Sequence, residues 1–173
     1  MNDLINLIKT RRSIRSFTDK PIPEAELAQI AETAVLAPSA RNSQKWLFTV
    51  VTKREQIQKL AKAVGKCLDR GDDYDFYNPT AVIITTYERD YRFGPVDCAC
   101  AIENMFLAAH SLGIGSVWIN QLIDCYDEPE VRSILDSFGI PADHIAGGMV
   151  ALGYPSGEPR NVEKKFELIN WVK

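Results

Sequence analysis

Residues 96–112 place the strongest constraint on the fold, because apolar side chains occupy most positions of this segment and lie almost all round the predicted helix. Pro95 precedes the segment and Gly113 follows it, as is typical of the first turn and the end of a helix. A helix that is apolar nearly all round has to be covered on most of its sides. We therefore expect a long helix that lies either in the core of the domain or at a subunit interface.

The other segments alternate between helical and strand patterns along the chain. Apolar residues three or four positions apart indicate helices, and short aromatic and β-branched runs indicate strands. The pattern predicts an α+β fold in which helices flank a mixed central β-sheet. Helices are predicted at 3–9, 23–35, 54–66 and 128–138, and strands at 46–51, 81–86, 116–119 and 147–155.

Composition and charge narrow the class of protein. Hydrophobic residues make up 46% of the 173 positions and charged residues 25%, which is typical of one globular domain, here assigned to residues 1–173. The net charge of -3 excludes a general nucleic-acid binder but leaves room for a small anion at a local basic patch. No segment has the length of a membrane span and the N-terminus has no secretory pattern, so we expect a cytoplasmic protein.

The C-terminal residues 157–173 mix charges with large apolar side chains. An extended segment of this kind has little left to pair with in its own domain. We therefore expect this C-terminal extension to pack on a partner subunit. Its apolar residues include Phe166, Leu168, Ile169, Trp171 and Val172.

Side chains that act as acids, bases or nucleophiles are scarce in this sequence. His110 falls within the apolar helix, where a structural role is more common, and His144 starts a predicted strand. Motifs of serine hydrolases, zinc proteases and P-loop enzymes are absent from the sequence. An enzyme with this sequence therefore needs a cofactor to supply its chemistry. The cysteines fit neither a zinc spacing nor a CxxC pair, so we expect no metal site and four free thiols: Cys67, Cys98, Cys100 and Cys125.

The sequence RRSIRSF at residues 11–17 concentrates basic residues near the start of a mildly acidic chain. One interpretation is a solvated turn between two helices. The other is an anion site, because guanidinium groups bind phosphate through planar forks of donors and a nearby hydroxyl adds another donor. In an extended backbone Arg11, Ser13 and Arg15 point to one side. Arg12 points elsewhere and is the weakest member of this candidate phosphate site.

Several motifs occur in an order that resembles the FMN-dependent nitroreductase family. Each motif is unspecific by itself, but their shared order over nearly the whole chain is specific. The matching stretches are RRSIRSF at 11–17, Ile22-Pro23 before a helix, APSARNSQKW at 37–46, Asn78-Pro79 before a strand, AIENMFLAAHSLGIGSVW at 101–118 and LGYP at 152–155.

The resemblance implies an intertwined homodimer of the nitroreductase-like fold, with two FMN molecules at the subunit interface. Arg11 and Ser13 would face the FMN phosphate, and Arg15 the ribityl chain and pyrimidine ring, where a cation stabilises reduced flavin. Asn42 would meet the polar edge of the ring in a loop supplied by the other subunit. A backbone N–H of Asn120 or Gln121 would approach flavin N5. The implied FMN-binding residues are Arg11, Arg12, Ser13, Arg15, Pro38, Ser39, Ala40, Asn42, Gln44, Trp118, Ile119, Asn120, Gln121 and Arg160.

Two parts of the implied site are matched less closely by the sequence. Arg160 is assigned as the second basic group of the phosphate site, with Lys164 and Lys165 as alternatives, because the usual basic run after Gly-Tyr-Pro is shortened here. A short polar loop also replaces the longer helical excursion that covers the flavin in larger members. The aromatic residues of this loop either contact substrate or anchor the loop to the core: they are Tyr74, Phe76 and Tyr77.

The activity implied by the resemblance is that of an NAD(P)H-dependent FMN oxidoreductase. Hydride would pass from NADH or NADPH through flavin N5 to a nitroaromatic, a quinone or a similar electron-poor acceptor. One site that serves donor and acceptor in turn predicts ping-pong kinetics. The alternatives are a flavin-binding or sensory module without turnover and a dehalogenase or flavin-modifying enzyme on the same fold. A thiol redox protein that uses Cys98 and Cys100 is disfavoured, because residues two positions apart point to different sides of a helix.

Overall fold

The computed structural model describes residues 3–173, so Met1 and Asn2 of the predicted 1–173 domain lie outside the described residues. Within this range helices and strands follow one another in mixed order, which confirms the α+β class. The helices are α1 (Asp3–Thr10), α2 (Glu24–Val35), α3 (Arg54–Cys67), α4 (Gly94–Ser111) and α5 (Pro129–Ser137). The strands are β1 (Trp46–Val51), β2 (Ala81–Glu88), β3 (Gly115–Ile119) and β4 (His144–Gly153).

One sheet with the strand order β1-β2-β4-β3 lies at the centre, and its neighbouring strands all pair antiparallel. β4 begins three residues before the predicted start, because His144 pairs with Glu88 at the end of β2. The segment after α1 adds an isolated parallel bridge between Ser13 and Ser116 of β3. In the described chain, parallel pairing therefore occurs only where the basic turn meets β3.

Each face of the sheet is covered by two helices. Successive residues of a strand point to opposite faces, so Val82 and Ile84 of β2 pack with α3 and α5, whereas Ile83 packs with α2 and α4. Ile102 of α4 is fully buried in the second of these layers. The long apolar helix is therefore a core helix on one side, but its other side remains open, since Val96 is 62% exposed.

Two segments leave large apolar side chains uncovered. No described residue of α1 is buried, although the helix carries Ile5 and Ile8 on an apolar side. Residues 157–173 are all exposed, and Trp171 has 75% of its surface accessible. The regular structure of this extension is limited to a 3₁₀ turn at Phe166–Leu168. The described chain therefore does not bury the apolar residues of its own C-terminal extension.

Gly148 lies where the pairing of β4 with β2 shifts register, between Thr85 and Thr86. Its φ of +128° is a conformation that side chains rarely adopt, and a Cβ at this position would lie 2.9 Å from Trp118 Nε1. We expect Gly148→Ala to lower the free energy of unfolding by about 3–5 kcal/mol, because backbone strain and overpacking add. Urea unfolding measures this loss.

Gly139→Ala is the matched control for this substitution. Gly139 also has a positive φ, +77°, but a Cβ at this position would meet no atom within 4 Å. We expect Gly139→Ala to lower the free energy of unfolding by only about 1–2 kcal/mol, because the left-handed backbone is then the only source of strain. If both variants lose the same unfolding free energy, the close approach of Trp118 to Gly148 does not add to the effect of Gly148→Ala.

Candidate cofactor site

The basic turn after α1 is extended and lies beside β3. Ile14 donates its backbone N–H to the carbonyl oxygen of Ser116 at 2.9 Å. A Cβ at Gly115 would lie 3.0 Å from the Ile14 side chain, so glycine permits this close packing. Because side chains alternate along an extended chain, Ser13 and Arg15 point away from Ile14, and both are exposed.

Ser13 and Arg15 line an open cavity of about 470 Å³ together with the first residues of the C-terminal extension. Arg160 lines the same cavity, and Glu158 is the acidic residue among the lining residues. Two arginines and a serine therefore line one space, and their side chains are of the kinds that bind an anion such as a phosphate. The full lining is Ser13, Ile14, Arg15, Ser16, Gly157, Glu158, Pro159 and Arg160.

The two other arginines of the basic turn point elsewhere. Arg11 lies against α4, with Nε 3.6 Å from Glu103 Oε1 and the guanidinium carbon 5.4 Å from the centroid of the Phe106 ring. Arg12 Nη1 donates to the carbonyl oxygens of Lys9 at 2.7 Å and of Arg11 at 2.8 Å. Arg12 therefore satisfies carbonyls at the end of α1, a common task of basic residues at helix C-termini.

The structure thus brings together only part of the predicted basic set. Arg15, Arg160 and Ser13 all line the 470 Å³ cavity. The remaining basic candidates are not among the lining residues: Arg11, Arg12, Lys164 and Lys165.

His110 of α4 packs behind the basic turn. Its Nε2 lies 2.9 Å from Thr10 Oγ1. Burial lowers the pKa of His110, and the positive charges of Arg11 and Arg12 lower it further. The half-buried imidazole is therefore neutral at neutral pH, as expected for a residue with a structural role.

This lowered pKa makes folding stability depend on pH. An unfolded histidine titrates near pH 6.5, so below about that pH the unfolded chain binds a proton that folded His110 accepts less readily. The stability linked to neutral His110 is therefore present above this pH and is lost as the pH falls toward the folded pKa. Between about pH 7.5 and pH 5.5 we expect His110→Gln to lose less unfolding free energy than the wild type. Urea unfolding at both pH values tests this, and equal losses would contradict it.

The loop between α2 and β1 has an unusual backbone. Arg41, Asn42 and Gln44 have φ angles of 59°, 54° and 49°, in the left-handed region that residues other than glycine seldom adopt. Gln44 Nε2 donates to Asn42 Oδ1 at 3.1 Å, which leaves the Nδ2 group of exposed Asn42 as the donor that a ligand would meet. Clustered backbone strain of this kind is typical of functional sites. The first part of the loop contains the other predicted residues, Pro38, Ser39 and Ala40.

The strained loop and the basic turn contact different parts of α4. The N–H of Ala40 lies 3.2 Å from both carboxylate oxygens of Asp97. Arg11 contacts the same helix at Phe106. With a rise of 1.5 Å per residue, positions 97 and 106 are about 13 Å apart along the helix. Within one chain, the two predicted FMN-binding elements are therefore separate.

The predicted segment after β3 has both buried and exposed members. Trp118 is half-buried, and its Nε1 has no hydrogen-bond partner in the described chain. Its ring packs edge-on against Phe106, with centroids 6.2 Å apart, and Ile119 is buried. Asn120 is exposed and Gln121 opens a 3₁₀ turn at Gln121–Asp124. The first N–H groups of a helical turn have no partner within it, so the turn itself does not use the two predicted backbone donors.

The three aromatic residues of the polar loop have different environments. Phe76 is fully buried, and Tyr74 packs edge-on against it with centroids 5.3 Å apart. These two rings anchor the loop, which is the second of the two interpretations left open by the sequence. Tyr77 is 40% exposed, and the guanidinium carbon of Arg15 lies 6.0 Å from its ring centroid. Tyr77 is therefore the aromatic residue that a ligand near Arg15 can reach.

Cys98 and Cys100 do not form a reactive pair in this structure. Burial is the main cause that raises the pKa of Cys98 to about 12, and Cys100 is half-buried on the same helix. A thiol with so high a pKa is protonated at neutral pH and is a poor nucleophile.

Among residues 3–173 no cluster of histidine, cysteine and acidic residues is arranged to hold a metal ion. Over the same residues, no helix has both the length and the apolar character needed to span a membrane.

The central sheet defines an α+β protein, and the basic cavity is its candidate site for a small anionic ligand. Residues 8–154 match the model of the Nitroreductase family, so the chain belongs to this family. The family predicted from the order of the motifs is therefore confirmed.

Relatives of known name or structure agree with this assignment. A nitroreductase of Bacteroides fragilis NCTC 9343, solved with bound FMN, is 36% identical, with a TM-score of 0.93 and 100% coverage of both chains. An Archaeoglobus fulgidus protein, provisionally named NADH dehydrogenase/NAD(P)H nitroreductase, is 36% identical over 166 residues, 91% of this chain and 88% of that protein. The NAD(P)H-dependent FMN reductase of Bacillus subtilis strain 168 is 29% identical over 171 residues, 84% of this chain and 69% of that protein.

Proposed function

We propose that this protein is an NAD(P)H-dependent FMN oxidoreductase and that the cavity at the basic turn receives the phosphate of FMN. The observation that carries the proposal is the convergence of Ser13, Arg15 and Arg160 on one space of about 470 Å³. The FMN-bound relative from B. fragilis and the FMN reductase of B. subtilis support the choice of cofactor. The exposed, unpaired guanidinium of Arg15 fits a ligand better than it fits a purely structural turn.

The residues of this chain would bind and orient the cofactor. FMN, when bound, supplies the hydride-transfer chemistry through its ring. Ser13 and the two guanidinium groups would hold the phosphate and the ribityl chain, and the charge of Arg15 would stabilise negative charge on the ring. Backbone N–H groups at Asn120 and Gln121 would add fixed dipoles. His110 is neutral and Cys98 is protonated, so neither is suited to acid, base or nucleophilic catalysis. This agrees with a protein that binds and orients FMN while FMN supplies the chemistry.

We infer that a second copy of the chain completes the site. The strained loop and Arg11 contact α4 about 13 Å apart, so in one chain they do not meet. A twofold axis across the open side of α4, near half-buried Cys100 in the middle of the helix, would set the helices of two copies side by side in opposite directions, with Asp97 of one copy beside Glu103 of the other. The loop of one copy would then lie near the basic turn of the other, with Asn42 and Gln44 toward the ring.

The exposed surface supports this homodimer. The accessible area of the chain is 10429 Å², whereas a folded monomer of 19.4 kDa is expected to expose about 8,500 Å². Large apolar side chains are uncovered on α1 and on residues 157–173. Exposed large apolar side chains in such number are typical of an interface. The C-terminal extension would therefore pack on the partner subunit.

Electron-poor acceptors such as nitroaromatics and quinones would be reduced at the same site after NAD(P)H leaves. Neither histidine nor cysteine is among the described residues that line the open cavity, which suits acceptors that need only stacking and electrons. Steady-state initial rates with NADH or NADPH and a quinone test this order. A ping-pong mechanism gives parallel double-reciprocal lines, and intersecting lines would contradict the shared site.

The rival function is a flavin-binding module without turnover. Anaerobic mixing of the FMN-loaded protein with NADH and with NADPH separates the two functions. We expect at least one nicotinamide to bleach the flavin spectrum and a nitroaromatic or quinone to restore it. An FMN-loaded protein that neither nicotinamide bleaches would contradict the reductase and favour the module.

A further inference from the structure

Asp97 is a buried carboxylate that lies behind the strained loop. It is 5% exposed, and both of its oxygens lie 3.2 Å from the N–H of Ala40. Over residues 3–173 no lysine, arginine or histidine forms an ion pair with it. Burying a carboxylate without a cation is costly unless hydrogen bonds compensate for the loss of water. The placement of Asp97 therefore calls for an explanation beyond packing.

Tyr91 extends the contact from Asp97 to the far end of the loop. Its hydroxyl donates to Asp97 Oδ2 at 2.8 Å and lies 2.5 Å from Ser43 Oγ. Burial is the main cause that raises the pKa of Tyr91, and the hydrogen bond to Asp97 raises it further, so the hydroxyl remains protonated and able to donate. Asp97 thus ties the loop at Ala40 directly and at Ser43 through Tyr91.

The residues between these two ties are the strained ones. Arg41 and Asn42 have φ angles of 59° and 54°. Non-glycine residues in the left-handed region cost of order 1–2 kcal/mol each, so an untied loop would relax to other conformations. Asp97 and Tyr91 supply bonds from outside the loop that hold this backbone in place.

Asp97 does not act as a cap for its own helix. An acidic residue in the first turn of a helix is favoured by the helix dipole, but no side-chain cap hydrogen bond is formed at the start of α4. Both carboxylate oxygens are used by the loop and by Tyr91 instead. The side chain is therefore directed at the loop.

We propose that Asp97 and Tyr91 are positioning residues for the flavin ring, because they hold the 40–44 loop in the one conformation that presents the Asn42 amide. This inference rests on the proposed FMN site. Neither residue is assigned a contact with the cofactor. Their effect passes through Asn42, whose side-chain oxygen is engaged by Gln44 and whose Nδ2 group is left to donate.

Three variants separate this role from simple stability. Asp97→Ala removes both acceptors, Asp97→Asn keeps the shape without the charge, and Tyr91→Phe removes only the hydroxyl. Thr85→Val is the matched control, because Thr85 is also buried and also forms a side-chain hydrogen bond to the backbone. Its hydroxyl donates to the carbonyl oxygen of Gly148 at 2.8 Å, and it does not contact the loop. Each variant is measured without and with FMN.

The first measurement is hydrogen exchange of residues 40–44 in the FMN-free protein. We expect exchange to become at least about 10-fold faster in Asp97→Ala and less so in Asp97→Asn and Tyr91→Phe, since the lost bonds include one to a charged group. Thr85→Val is expected to lower the melting temperature without speeding exchange in the loop. Wild-type exchange rates in the Asp97 and Tyr91 variants would overturn the proposal.

The second measurement is the affinity for FMN and the midpoint potential of the bound flavin at saturating FMN. We expect Asp97→Ala to raise the Kd about 10- to 100-fold and to move the potential toward that of free FMN, whereas Thr85→Val changes neither. A loop that loosens while Kd and potential stay at wild-type values would overturn the positioning role alone. A wild type that binds no FMN would contradict the proposed function, and the positioning role would fall with it.

Discussion

Without residues 157–173, the chain is expected to be a folded monomer that retains no FMN. The extension contributes Arg160 to the cavity and six large apolar side chains to the exposed surface, including Phe166 and Trp171. Full burial of a large apolar side chain contributes about 1.5–3 kcal/mol, so loss of all six removes much of the driving force for association. The extension adds no residue to either core cluster of its own domain. Light scattering and the flavin content of the purified protein measure both effects.

Arg160→Ala in the full-length chain separates the two roles of the extension. This variant keeps every apolar residue of the extension, so we expect a dimer with weaker FMN binding. A truncated chain that remains dimeric would contradict the assignment of the extension to the interface. A truncated chain that retains FMN at wild-type affinity would contradict the place of Arg160 in the phosphate site.

Arg15→Ala is expected to raise the Kd for FMN about 10- to 100-fold, the range for loss of hydrogen bonds to a charged group. The same variant is expected to make the midpoint potential of bound flavin more negative, because the cation that stabilises reduced flavin is gone. Arg15 is exposed, and its described contact is the Tyr77 ring, so the stability of the FMN-free protein should change little. Equilibrium titration and spectroelectrochemistry measure the two effects.

Arg89→Ala is the control for Arg15→Ala. Arg89 also has its guanidinium near a tyrosine ring, 5.3 Å from the centroid of Tyr126, but it pairs with Asp127 and does not line the cavity. We expect its FMN affinity and flavin potential to match those of the wild type. If both substitutions change the FMN affinity and the flavin potential equally, Arg15 acts only through the general surface charge.

Local patterns predict most of the fold of this chain. The apolar run at 96–112 identifies α4, and the β-branched runs give β1 with its observed bounds. Local composition does not predict the start of β4 at His144, because the strand is extended by pairing with Glu88 across the sheet. Composition also does not predict which face of α4 remains open, since that depends on where β2 and α2 lie in the fold.

The candidate site is predictable only in part. Period-two alternation identifies Ser13 and Arg15 as neighbours on one side, and the structure places both in the cavity with Arg160. The same reasoning groups Arg11 with them, but Arg11 turns to Glu103 of α4 instead. The tie between Ala40 and Asp97 joins positions 57 residues apart in sequence. Its one sequence signal is an acidic residue in the first turn of a largely apolar helix.

The flavin content of the purified protein tests most directly whether the basic cavity holds the phosphate of FMN. The spectrum of the native protein and the identity and amount of flavin released on denaturation are measured in one experiment. We expect a yellow protein that releases FMN at one molecule per chain, as the proposed pair of equivalent interface sites requires. A colourless protein that takes up no added FMN would contradict the assignment of Ser13, Arg15 and Arg160 to a flavin phosphate site.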